Sequence, residues 1–299
     1  MTGVAVTADL DPTDAGALPR RGVWPGLRRR ALFWVPVAGI VVLTVLTVAP
    51  GWVAGWFGNG DPRVCDLSSS ADGPVAGHPF GFDRQGCDVY ANVVHGTRAS
   101  LTVGLTCTLI AFALAVLLGT LAGLRGGLAD RVVSRVTDVF LGFPFLLGAI
   151  VVLNSFGERS VLSVSLALAL FVWPAMARLV RSSVRSVRDA EFVQAARAMG
   201  FGTWRVVSRH VLPNAIGPVL AIATITVGQV IVAESTLTFL GLGLRSPAIS
   251  WGLQLSNAQA QLQNAPHMLL FPSVFLAVTV FCLITLGDVL RDALDPRQR

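Results

Sequence analysis

The chain has 299 residues, 53% of them hydrophobic and only 13% charged, and its formal net charge is +6. This usage excludes an ordinary soluble domain and indicates a polytopic membrane protein. All 23 basic residues are arginine, so the lysine that a phosphate-binding P-loop requires is absent.

Residues 1–30 are rich in Gly, Pro, Asp and Thr and are predicted to form an arm without fixed structure. The apolar run 31–50 is longer than the core of a typical signal peptide, and no small-x-small cleavage site follows it. It reads as a retained first span. A bilayer core of about 30 Å needs about 20 apolar residues, and five further runs qualify: 100–124, 132–153, 161–180, 215–237 and 270–290. The third is the weakest, because Arg135 and Asp138 stand near its start, where an interface tolerates charge. Without it, the reading is one of five spans. The fold class expected is therefore all-α integral membrane with six transmembrane helices. A long extracytoplasmic loop, 51–98, joins the first two spans, and residues 99–290 form a five-helix core with a polar loop at 181–213. A short tail, 291–299, follows.

Arginines crowd the first arm, the link after the second span (Arg125, Arg131, Arg135), the stretch Arg178 to Arg209, and the tail (Arg291, Arg297, Arg299). The opposite loops hold Arg63, Arg84, Arg98, Arg159 and Arg245. The positive-inside rule places both termini and the 191–214 loop in the cytoplasm. That topology accounts for the basic charge without a nucleic-acid partner.

Cys65 and Cys87 share the outer loop, whereas Cys107 and Cys282 lie within spans. A disulfide between the outer pair is compatible with that compartment and stabilises by about 3 kcal/mol in the chain-entropy picture. Two free thiols are the alternative.

Residues 191–214, EFVQAARAMGFGTWRVVSRHVLPN, form the most ordered polar pattern. The segment reads as two short amphipathic helices broken at Gly200 and closed by Leu212-Pro213. Phe192, Ala196 and Met199 share one face, and Trp204, Val207 and Val211 share another after the break. Arg205 and Arg209 repel slightly at i, i+4, as suits charges presented to an outside partner.

Within the spans, Glu234 is the leading ionisable candidate for a substrate path, as a carboxylate for an ammonium group. A structural carboxylate holding the following turn is the competing reading. Gln229, Asn154 and Ser155 are polar candidates for a wet cavity, and Arg135 with Asp138 reads as an intrahelical pair. The four histidines are scattered without H-E-x-x-H spacing, no G-x-S-x-G is present, and no two carboxylates face each other deep in the spans. An intramembrane enzyme and a metal site are therefore disfavoured.

The run Gln194-Ala195-Ala196, Gly200, Leu212-Pro213 resembles the EAA motif of ABC importer permeases. His78-Pro79-Phe80-Gly81-Phe82-Asp83 with Gly86 and Asp88, and then Gly96 to Leu101, resemble the outer-loop signature of one branch, the C-type permease of dipeptide and oligopeptide importers. Thr238 to Gly243, Ser250-Trp251-Gly252, and the ending Gly287-Asp288, Arg291-Asp292 and Leu294 to Arg297 resemble the same branch. Four positions depart from it: Gln194 replaces Glu, His210 replaces Ile, and Phe82 and Cys87 replace Thr and Arg. Glu191, one turn before Gln194, is the alternative acid.

The resemblance implies a type I ABC importer permease fold in the cell inner membrane. Its docking residues would be Glu191, Gln194, Ala195, Ala196, Gly200, Trp204, Arg205, Arg209, Leu212 and Pro213. The partners implied are a second permease, two ATPase subunits and an extracytoplasmic solute-binding protein. The chain itself would carry no cofactor, ATP and Mg residing on the ATPase subunits. Peptide is the substrate class implied, with nickel or another small solute, or a non-transporting membrane scaffold, as alternatives.

Overall fold

The computed structural model describes residues 31–58 and 60–294, with side chains from Phe33 onward. The predicted arm 1–30 and the end of the tail, with Arg297 and Arg299, lie outside the described residues. The described chain is helical, and its β-type pairing is confined to isolated bridges in the outer loop, such as Cys65 with Cys87.

Helices α1 (Ala31–Val48) and α2 (Pro50–Ala54) lead into the outer loop. Helix α3 spans Val89–Arg125, α4 Gly127–Gly142, α5 Phe145–Ser155 and α6 Val161–Arg188. The docking segment holds α7 (Glu191–Ala198), α8 (Thr203–Val206), a π-helical turn (Val207–Val211) and α9 (Leu212–Ala215). Helices α10 (Gly217–Phe239), α11 (Trp251–Ala258) and α12 (His267–Leu294) complete the chain.

Four helices, α3, α6, α10 and α12, are each long and apolar enough to cross a membrane, and α1 is apolar but shorter. The expected third span is not one helix: α4 and α5 meet at 94°. Pro144 supplies no backbone N–H, and Phe143 before it is extended, with φ −83° and ψ 136°, as a residue preceding proline prefers. Among the described residues, the six expected runs thus appear as four long helices, one bent pair and one shorter apolar helix.

Two expected boundaries also move. Helix α3 starts at Val89 rather than near residue 100, because Asp88 caps it by accepting from the Tyr90 and Ala91 amides. Helix α6 runs to Arg188, so residues 181–188 belong to a helix and the polar loop begins after them.

The central packing unit is α3 against α6. Gly119 and Gly123 of α3 lie so close to Ala177, Val180 and Val184 that an added Cβ would approach within 3 Å. Small residues at such crossings let helix backbones meet where lipid supplies no hydrophobic drive. A second layer packs α10 on α12, with Gly287 facing Ile225 and the Ala221 carbonyl.

Candidate functional site

The docking segment rests on a buried apolar base. Val193 and Ala196 of α7, Val206 of α8, Val211 and Ala215 share one core cluster with Val180 and Val184 of α6. The side chains turned outward are Phe192, Met199 and Trp204, 47%, 67% and 81% exposed. This corrects the expected faces: of Phe192, Ala196 and Met199 only Ala196 is buried, and Trp204 parts from Val207 and Val211. Three large apolar groups are thus exposed on this polar segment.

Gly200 has φ +81° with nothing within 4 Å of an added Cβ. Its requirement is conformational rather than spatial: it takes the left-handed turn that ends α7. The π turn after α8 widens the helix just before Leu212-Pro213. Arg205 and Arg209 are exposed, and the Arg205 guanidinium lies 5.7 Å from the Phe201 ring centroid. His210, where the motif has Ile, stacks on Phe201 with planes 11° apart and centroids at 6.2 Å. Gln194 donates through Nε2 to the Asp189 carbonyl at 3.0 Å, folding back to the end of α6. Glu191 and Ala195 are exposed, leaving Glu191 as the acid turned outward on α7.

On the opposite face, Glu234 is fully buried. Its carboxylate accepts from Thr238 Oγ1 at 2.8 Å and Ser235 Oγ at 3.3 Å, and Thr238 Oγ1 accepts from the Leu244 amide at 3.0 Å. An added Cβ on Gly243 would fall 2.1 Å from Thr238 Oγ1, so the Leu240–Leu244 turn closes only with glycine there. These bonds tie the Glu234 carboxylate to the turn that follows α10. Asn154 Oδ1 accepts from Arg159 Nη2 at 2.8 Å, and Arg159 also reaches the Leu242 carbonyl. Gln229 is exposed on α10, and Ser155 bonds back to the Val151 carbonyl at 3.3 Å. Of the three substrate-path candidates, Glu234 and Asn154 are linked to the same turn through Thr238 and Arg159, whereas Gln229 is exposed on α10.

The outer loop is built on its polar residues. Cys65 and Cys87 are joined by a disulfide. His78 Nδ1 lies 2.8 Å from Asp88 Oδ2, and Phe80 stacks on Phe271 of α12 at 3.9 Å. Asp83 Oδ1 accepts from the Gln85 amide at 2.7 Å and the Cys87 amide at 2.9 Å. Burial pushes the Asp83 carboxyl above its ordinary value, with the Cys87 and Gln85 amides opposing. Trp251 donates from Nε1 to the Val93 carbonyl at 3.0 Å, and its amide donates to Ser100 at 3.3 Å. Between this loop and the 246–257 segment lies a cavity of about 570 Å³ bordered by Arg63, Asp83, Gln254 and Met268.

One cluster escaped the sequence reading. Asp130 of α4 is held by Arg181 and Arg185 of α6, and Asp138 by Arg178. Arg135, the expected partner of Asp138, stands 4.0 Å away. Arg178, Arg181 and Arg185 follow i, i+3, i+7 spacing, a one-face signal that a reading for topology alone passes over.

A bundle of apolar helices with a polar segment broken at Gly200 is an architecture found in membrane permeases. Residues 115–299 match the family described as "Binding-protein-dependent transport system inner membrane component", and the chain belongs to that family. It is 38% identical over 284 residues to the oligopeptide transport system permease protein OppC of Escherichia coli (strain K12), covering 93% of each chain. It is 34% identical over 279 residues to the glutathione transport system permease protein GsiD of Pectobacterium atrosepticum, covering 93% of this chain and 91% of that one. An inward-facing structure of the MetNI methionine ABC transporter superposes with a TM-score of 0.55 at 21% identity, covering 68% of this chain and 96% of that one. The fold is shared with that transporter, and the protein is a multi-pass inner-membrane permease.

Proposed function

We propose that this chain is one permease of an ATP-driven peptide importer. With a second, homologous permease it forms the passage, while two ATPase subunits supply ATP and Mg chemistry and an outer receptor delivers substrate. Both termini and the docking segment face the cytoplasm, in keeping with the arginine distribution.

The observation that carries this reading is the docking segment: Phe192, Met199 and Trp204 stand outward on a base locked into the α6 core. A load on that patch passes directly into the helices, as alternation between outward and inward states needs. Glu191 supplies the acid of the docking surface in place of Gln194. Peptide is favoured over nickel or a scaffold role because two relatives with more than 90% coverage bear oligopeptide and glutathione names. The test is uptake into proteoliposomes holding both permeases and both ATPase subunits. Labelled peptide should accumulate only with receptor outside and ATP inside; accumulation of nickel but of no peptide would replace the substrate, and no accumulation of any solute would reject transport.

A further inference from the structure

The first turns of helix α4 are held to their own chain by charge, and its last turns by the packing of Phe140. Only Thr137 on it is buried, while Val132, Val136, Val139 and Leu141 remain exposed. Its ties to α6 are ionic at Asp130 and Asp138, while near its end Phe140 meets Phe171 and Trp173 of α6 edge-on. Asp130 accepts from Arg181 Nη2 at 2.8 Å, from Arg181 Nε, and from Arg185 Nη2 at 2.5 Å. The Asp130 side chain keeps 13% of its exposure, Arg181 28% and Arg185 40%, so solvent screens the Asp130–Arg181 pair less than an open surface pair. A guanidinium fork engaged through two nitrogens fixes orientation as well as distance, which the exposed valines of α4 cannot do.

The position of the cluster gives it a mechanical meaning. Arg181 and Arg185 flank Val184, which is fully buried in the same apolar cluster as Val193, Ala196, Val206 and Val211 of the docking segment. Helix α6 passes into that segment after Arg188. Arg188 adds a bond to the Gly123 carbonyl at 2.7 Å, which ties the same base to α3. At its far end α4 runs into the 94° break and then α5. Asp130 therefore joins the bent pair to the base on which the docking segment sits.

We infer that Asp130 is a positioning residue for energy transmission, an inference that rests on the import reading above. It makes α4, and through the break α5, move with α6 when the ATPase subunits displace the docking segment. Losing its charge leaves the ATPase subunits attached but lets α4 lag behind α6. The outer receptor then no longer governs hydrolysis, and hydrolysis no longer drives uptake.

The experiment uses the reconstituted full complex, with receptor and a tryptic casein digest as the peptide source. Asp130→Asn should lower receptor-stimulated hydrolysis about tenfold, within the range by which single contacts change coupling. Basal hydrolysis and ATPase copurification should stay at wild-type level, and Asp130→Glu should recover most of the stimulation. Asp130→Asn with full stimulation, beside a stimulated wild type, overturns the inference alone. A wild-type complex that receptor and peptide never stimulate overturns the import reading and this inference with it. If Asp130→Asn fails to assemble, spin labels at Val132 on α4 and Ser182 on α6 in an otherwise wild-type complex decide the matter. An unchanged distance between nucleotide-free and vanadate-trapped states supports the clamp, and a changed distance overturns it.

Discussion

Thr238 holds Glu234 in place: its hydroxyl donates to the carboxylate at 2.8 Å and accepts from the Leu244 amide at 3.0 Å. Replacing it by valine leaves the Leu244 amide without its acceptor and Glu234 with one donor fewer. A buried unsatisfied group costs about 2 kcal/mol, so Thr238→Val should lower the thermal midpoint of the purified protein, and Thr238→Ser should not. Glu234→Gln keeps an acceptor for Thr238 and should preserve uptake. Uptake abolished in Glu234→Gln with an unchanged midpoint would return Glu234 to the substrate path.

Gly200 makes the second prediction. Space is open around it, so any penalty comes from its φ of +81°, which costs a β-branched residue about 1–3 kcal/mol. Gly200→Val should retilt the docking segment and uncouple hydrolysis from uptake. Gly200→Asn, which tolerates that backbone region better, should keep more activity. Equal uptake by wild type and Gly200→Val would remove the hinge role.

The break at Gly200 is legible in the sequence because glycine there punctuates two amphipathic runs. Which face of each run points inward is not legible: Phe192, Met199 and Trp204 have the periodicity of a core, yet they are the residues left exposed. Period alone cannot distinguish the molecule's own body from a partner's. The helical class and most spans follow from hydropathy. The bend does not, since an apolar window weighs Pro144 by its greasiness and ignores its missing N–H. The start of α3 is hidden for a related reason, because residues 89–99 are too polar for a span signal and Asp88 caps them through local hydrogen bonds. The Asp130 cluster joins residues 51 and 55 positions apart, a pairing that no local pattern contains.

Trp204 and the two docking arginines are predicted to act on attachment rather than folding. Trp204→Ala removes an exposed anchor of the kind that dominates interfaces and should weaken ATPase binding about tenfold or more. Arg205→Glu with Arg209→Glu should reduce copurified ATPase further at low salt than at high salt. In each case the thermal midpoint of the isolated permease should hold. A fall in midpoint equal to the loss of attachment would assign these side chains to the fold.

The outer loop offers a pH test with a definite sign. Asp83 has its pKa raised in the folded loop, so the folded state holds the proton more tightly than the unfolded one. Its contribution is fully present below the unfolded pKa and is lost as pH rises through the folded value. Exchange protection of a loop amide that does not bond Asp83, such as the Phe82 amide on the Asp72 carbonyl, should therefore weaken as pH climbs through the carboxylate range, after correction for intrinsic exchange rates. Asp83→Asn keeps the acceptor and should flatten that dependence. Peptide mapping with and without reductant should show Cys65 and Cys87 linked; two thiols alkylated without reductant would mean an open loop.

The most direct measurement is photo-crosslinking from position 204 in the assembled complex. A photoreactive residue replacing Trp204 should capture an ATP-binding subunit, in a yield that changes when ATP or vanadate is added. Adducts to lipid alone, or to the outer receptor, would contradict the assignment of this segment as the site through which ATP drives the permease.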